Sequence, residues 1–127
     1  MRKKLLVPVF VALFLALAGT APALEGRETA RIEAFLALLA SKADIVFVRN
    51  GSKYPVSRAV SHLRSKLSRA KNRISTAEEF IDHVASVSSV SGKPYSVIFP
   101  GGEEAPAGPY FRELLRESDG TLTEGGK

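Results

Sequence analysis

The 127-residue chain predicts a single α+β domain, and three observations carry that reading. Apolar residues recur at helical spacing in four segments. Two short runs of β-branched and aromatic residues sit among them. The length suits one domain. So few short strands cannot bury themselves, so about four helices must pack on one face of a two- to three-stranded sheet.

The chain opens on a different plan. Met1-Arg2-Lys3-Lys4 is cationic, Leu5 to Ala18 is an apolar run of 14 residues, and Gly19 to Ala23 ends with small residues at Ala21 and Ala23. That is the three-part order of a secretory signal peptide, with cleavage after Ala23. The apolar run is shorter than the ~20 residues that span a bilayer, so no transmembrane anchor is expected after cleavage. Residues 24–127 are then one domain, with an ordered core over about 28–118 and a frayed tail over 119–127.

From about Arg27 to Ser41, Ile32, Phe35, Leu36 and Leu39 fall at i, i+3, i+4 and i+7, one face of a helix. Glu25, Glu28 and Glu33 lie near its start, where the helix dipole favours anions. The run Ile45 to Val48 predicts a strand over about 45–49, stopped by the turn signal Asn50-Gly51. An extended return through Ser52–Tyr54 would be confined to an edge by Pro55. Val56, Val60, Leu63, Leu67 and Ala70 then define a second helix to about Lys71.

A third helix opens on a capping box that fits two frames, Ser75 with Glu78 or Thr76 with Glu79. Ala77, Phe80, Ile81, Val84 and Ala85 form its apolar face. Tyr95 to Phe99 is the second strand, and about 45 residues between the two strands leave both orientations open. Pro100 to Pro106 reads as a loop, and Pro109 to Glu117 as a short last helix. Phe47, Leu63, Phe80 and Phe99 are the expected inward residues of four elements.

With 45% hydrophobic and 24% charged residues the chain is not wholly disordered. The absence of Cys excludes disulfides, thiolate chemistry and a cysteine-linked lipid anchor. The net charge of +5 is partly carried by the leader. Without Arg2, Lys3 and Lys4, 18 cations become 15 against 13 anions, so the 104-residue remainder carries +2. Overall charge therefore does not argue for a nucleic-acid partner.

In order and spacing, several stretches resemble one family: Phe47 to Gly51, Ala59 to Leu67, Asn72 to Ile81, Val84 to Ser86 and Ser91 to Tyr95. The chain is similar over about residues 28–118 to the YfeK-like proteins, small exported proteins of Gram-negative bacteria with a domain of unknown function. The resemblance implies a periplasmic location and no assigned activity, and it transfers no catalytic role.

The strongest local feature is a charge block. Eight cations lie between Arg49 and Arg73, and no Asp or Glu lies between Asp44 and Glu78. On the second helix Arg58, His62, Lys66, Arg69 and Arg73 follow a 4, 4, 3, 4 spacing, along one side away from Leu63 and Leu67. With Arg49 they are the candidate binding residues. One reading is a solvated face neutralised by Glu78, Glu79 and Asp82 of the next helix. The other is an anion-binding strip for lipid phosphate, anionic glycan or an acidic protein face.

Only Tyr54 is near enough to stack a base, so nucleic acid would bind without specificity. Asp82 and Glu79 lie near His83, with Glu79 four residues before it as a surface pair, but His62 sits among cations that would repel a metal, so no metal or other cofactor is expected. Gly101-Gly102 precedes Glu103-Glu104 with no G-K-[ST], which excludes a phosphate loop. The expected function is a non-catalytic binding module. The alternatives are a small hydrolase centred on His62 and an accessory subunit docking to a larger envelope protein. The leaning is against an enzyme, because adjacent Ser61 and His62 diverge by about 100° on a helix and no nucleophile elbow is present.

Overall fold

The computed structural model describes residues 24–125. The expected signal peptide, residues 1–23, lies outside them. Four antiparallel strands run in the order β2-β1-β3-β4, with four helical segments packed on one face. The α+β reading holds, and the sheet has four strands rather than two or three.

Helix α1, Gly26–Ala40, buries Ile32, Phe35, Leu36 and Leu39. Strands β1, Val46–Arg49, and β2, Ser52–Pro55, are joined by Asn50 at φ 50° and Gly51 at φ 83°. A two-residue turn with both centres left-handed matches the right-handed twist of the strands, which is why Asn-Gly is selected there. Pairing sets Phe47 opposite Tyr54 and Arg49 opposite Ser52. Alternation therefore places Phe47 and Arg49 on the same, helix-covered face.

Helix α2, Val56–Ala70, follows at once, with Pro55 as its N-cap. Of the two capping frames the fold uses Thr76 and Glu79. The Thr76 hydroxyl accepts from the Glu79 amide at 3.1 Å, and Glu79 Oε1 accepts from the amides of Ser75 and Thr76. These bonds, led by that from the Ser75 amide, hold the Glu79 carboxyl below its usual range. Helix α3, Ala77–Phe80, widens into a π-helical turn, Ile81–Ala85, where the Ser86 amide donates to the Ile81 carbonyl at 3.1 Å.

Strand β3, Ser96–Ile98, pairs antiparallel with β1, which settles the orientation left open by the sequence. The segment read as a loop holds strand β4, Glu104–Pro106, paired with β3. Its turn is closed by Phe99 N–H to Glu103 C=O and Gly102 N–H to Phe99 C=O, with Gly102 at φ 95°. Pro106 is tolerated because β4 is the edge.

Helix α4, Ala107–Gly125, is longer than the expected 109–117, and the tail read as frayed is helical to Gly125. Two anchors explain the extension. Ser118 is buried and donates to the Leu115 carbonyl, and Asp119 makes a bidentate bond to Arg31 of α1 at 3.0 and 2.7 Å. Arg31 also binds Glu78 through both carboxylate oxygens and pairs with Glu28. One guanidinium thus ties α1, α3 and α4. Its hydrogen bonds to Asp119 and then Glu78 raise its pKa, and in return it lowers that of Glu78.

Phe35, Phe47, Tyr95 and Phe111 form the aromatic centre, with ring centroids at 5.4 Å for Phe35–Phe111 and 4.9 Å for Phe47–Tyr95. Phe47, Leu63 and Phe80 are buried as expected. Phe99 is only half-buried, because it lies past the end of β3, where it packs edge-on against Tyr110 of α4.

Candidate functional site

The site forms where α2 crosses β1. Arg49 leaves the sheet on the helix-covered face, and its Nη1 lies 3.2 Å from both ring nitrogens of His62. Its Nη2 donates to the Tyr54 hydroxyl at 3.3 Å. The guanidinium also sits 5.0 Å from the Tyr54 ring centroid, and that of Arg58 lies at 5.7 Å. Arg49 and then Ser52 lower the Tyr54 pKa, and the bond that Arg49 donates to Tyr54 leads in raising that of Arg49.

Lys66 departs from the expected solvated strip. It is 3% exposed. The reason is positional: Lys66 lies three residues after Leu63 and four before Ala70, both buried, so it shares their stripe. Its ammonium donates to the Val87 carbonyl at 2.6 Å and the Tyr95 hydroxyl at 3.0 Å, and lies 4.8 Å from the Tyr95 ring centroid. An ammonium only donates, so the Tyr95 hydroxyl accepts from Lys66, and it lies 3.1 Å from His62 Nε2, where the His62 tautomer decides which of the two donates.

A protonated His62 would put two cationic donors on that one phenol oxygen. Burial first, then Arg49, Lys66 and Arg69, lower the His62 pKa accordingly. Burial, then Arg69 and Arg49, push the Lys66 amine down to about 8. Burial leads in raising the Tyr95 hydroxyl.

The carboxylates that would neutralise this face are engaged elsewhere. Glu78 is held by Arg31, Glu79 caps α3, and Asp82 pairs with Arg112 at 3.4 Å. Among the described residues Arg49, Arg58, Lys66, Arg69 and Arg73 make no salt bridge. Lys almost never lies buried without an anionic partner.

Three grooves border the site, and among the described residues no Asp or Glu lines any of them. One of about 330 Å³ runs between Arg58 and Ser61 over Phe47 and Tyr54. The second, about 360 Å³, lies between the Asn50 turn, Arg69 and the Ser88–Ser89 loop. These two share Arg49, Tyr54 and His62. The third, about 270 Å³, is lined by Lys66, Arg69, Arg73 and His83.

Of the six sequence candidates, Arg49, His62, Lys66 and Arg69 converge. Arg58 and Arg73 lie at the two ends of the strip, in different grooves. Sequence reasoning missed Tyr95, the hydroxyl at the centre of the network, and Ser88. A signal for Tyr95 exists, since it lies two residues before Val97, which pairs with Phe47 on the covered face. The loop that carries Ser88 has no comparable periodicity.

A family model described as a family of unknown function, DUF5329, matches residues 26–119. The chain is 53% identical over 92 residues to the Uncharacterized protein YfeK of Salmonella typhimurium, across 72% of this chain and 76% of that relative. No solved structure matches it.

Proposed function

Because the chain belongs to the DUF5329 family, whose function is unknown, its role has to be argued from its own site, and we propose that it is an exported, non-catalytic binding module whose basic side of α2 holds an anionic component of the cell envelope. The carrying observation is Lys66, a buried ammonium flanked by Arg49 and Arg69 with no carboxylate beside it. A buried charge without a counter-charge is costly, and an anion in the adjoining grooves offsets that cost. The diversion of Glu78, Glu79 and Asp82 to other partners keeps the face free of internal competitors. Export rests on the order of residues 1–23, and the periplasm on the resemblance to the YfeK-like proteins.

The hydrolase alternative finds less support. His62 is engaged by Arg49 and Tyr95, and the Ser65 hydroxyl accepts from Arg69, so no serine, histidine and carboxylate are assembled there among the described residues.

The test uses the exported form, whose intact mass should begin at Leu24, titrated with heparin at about 50 and about 150 mM salt. Replacing exposed Arg58, Arg69 and Arg73 by Gln should weaken binding about tenfold or more at the lower salt and flatten the salt dependence. Equal binding by parent and variant, or no binding by the parent at low salt, overturns the reading.

A further inference from the structure

We propose that the groove between the Asn50 turn and α2 is a seat for one dianionic phosphate monoester, the chemistry shared by a free sugar phosphate and a monoester lipid headgroup. The inference rests on the anion-binding reading above and narrows it from a charged surface to one pocket and one ligand class.

The donors reach the groove from three elements. Arg49 comes from β1, His62 and Arg69 from α2, and Ser88 and Ser89 from the loop after the π-helical turn. A planar carboxylate is satisfied by one guanidinium fork, whereas a tetrahedral phosphate takes donors from several directions. Arg69 has donors to spare, because among the described residues its side chain makes one hydrogen bond, Nη1 to Ser65, which engages a single N–H among five.

Ser88 can add a donor to the seat. It is 4% exposed and lines the groove. Its oxygen accepts from Asn50 Nδ2 at 3.3 Å and from the amides of Val90 and Ser91, both at 3.2 Å. Among the described residues nothing accepts its hydroxyl proton. A phosphate oxygen in the groove supplies that acceptor.

The charge count selects a dianion. Arg49, Arg69 and Lys66 are cationic near neutrality, and His62 joins them when protonated. The other charged side chains on the elements packed around the groove do not cancel them. Arg58 and Arg73 add positive charge at the strip's ends, and Asp82 is paired with Arg112. A phosphodiester or acetate brings one negative charge, whereas a monoester brings nearly two at neutral pH. The volume of about 360 Å³ leaves space beside the phosphate for the group it esterifies.

The experiment titrates the mature protein with glucose 1-phosphate and with dimethyl phosphate. In parallel it uses phosphatidylcholine vesicles doped with phosphatidic acid, a monoester, or with phosphatidylglycerol, a diester. At least one monoester should bind about tenfold or more tightly than its diester counterpart. Preference for glucose 1-phosphate assigns a soluble sugar phosphate, and preference confined to phosphatidic acid vesicles assigns a lipid headgroup. Arg69→Gln should abolish the preference, and Arg116→Gln, exposed and outside all three grooves, should keep it, both variants retaining the parent's circular dichroism.

Equal binding of monoester and diester while heparin still binds overturns the seat and leaves the anion-binding surface standing. Loss of heparin binding as well overturns both. An unchanged monoester preference in Arg69→Gln places the ligand elsewhere and also overturns the proposal.

Discussion

Phe47→Ala should lower the stability of the domain by about 3–5 kcal/mol, through lost transfer energy and the cavity left behind. Phe47 is 2% exposed, meets Tyr95 edge-on at 4.9 Å and stacks parallel to Phe111 at 6.4 Å. It is therefore the residue through which the sheet grips both α4 and the site. Truncation also frees Tyr95, so the positions of Lys66 and His62 should loosen together. Urea denaturation of parent and variant measures the effect. A loss below about 1 kcal/mol would mean that the aromatic centre is not packed as described.

The second large effect belongs to Lys66. Its pKa falls from 10.5 to about 8 in the folded chain, with burial as the leading cause. Below pH 8 both folded and unfolded chains hold the proton. Between 8 and 10.5 the unfolded chain keeps a proton that the folded chain has released. Stability from this group therefore rises with pH across that window, is complete above 10.5, and is lost as pH falls through 8. The full contribution is on the order of 3 kcal/mol.

In Lys66→Met that rise should vanish. The stability of the parent relative to the variant should grow by about 2 kcal/mol between pH 7.5 and pH 10 in denaturant titrations. Parallel pH curves would show that the amine titrates as it does in water. The same ammonium is buried without a salt-bridge partner among the described residues, a cost that the proposed anion would offset.

Much of the frame is legible from local rules. The period of Ile32, Phe35, Leu36 and Leu39, the Asn50-Gly51 turn and the Thr76–Glu79 cap are decided within a few residues, and the structure uses them all. What escapes depends on distant partners. Strand β4 is only Glu104, Ala105 and Pro106, a glutamate and a proline among its three residues, and pairing with β3 makes it extended. The end of α4 looks frayed because Gly120 weakens it, and Arg31, 88 positions before Asp119, holds it. Likewise the spacing on α2 identifies the basic side but not the depth of Lys66, which Val87 and Tyr95 determine from other elements.

The central claim is that anions are drawn to the crossing of α2 and β1 rather than to positive charge in general. Amide chemical-shift mapping of the mature protein during titration with a short heparin fragment tests this most directly. The largest shifts should fall at Asn50, His62, Arg69, Ser88 and Ser89, with Arg27 and Arg116, which lie outside the three grooves, unmoved. Shifts spread evenly over all exposed arginines and lysines, or centred on Arg27 and Arg116, would contradict it.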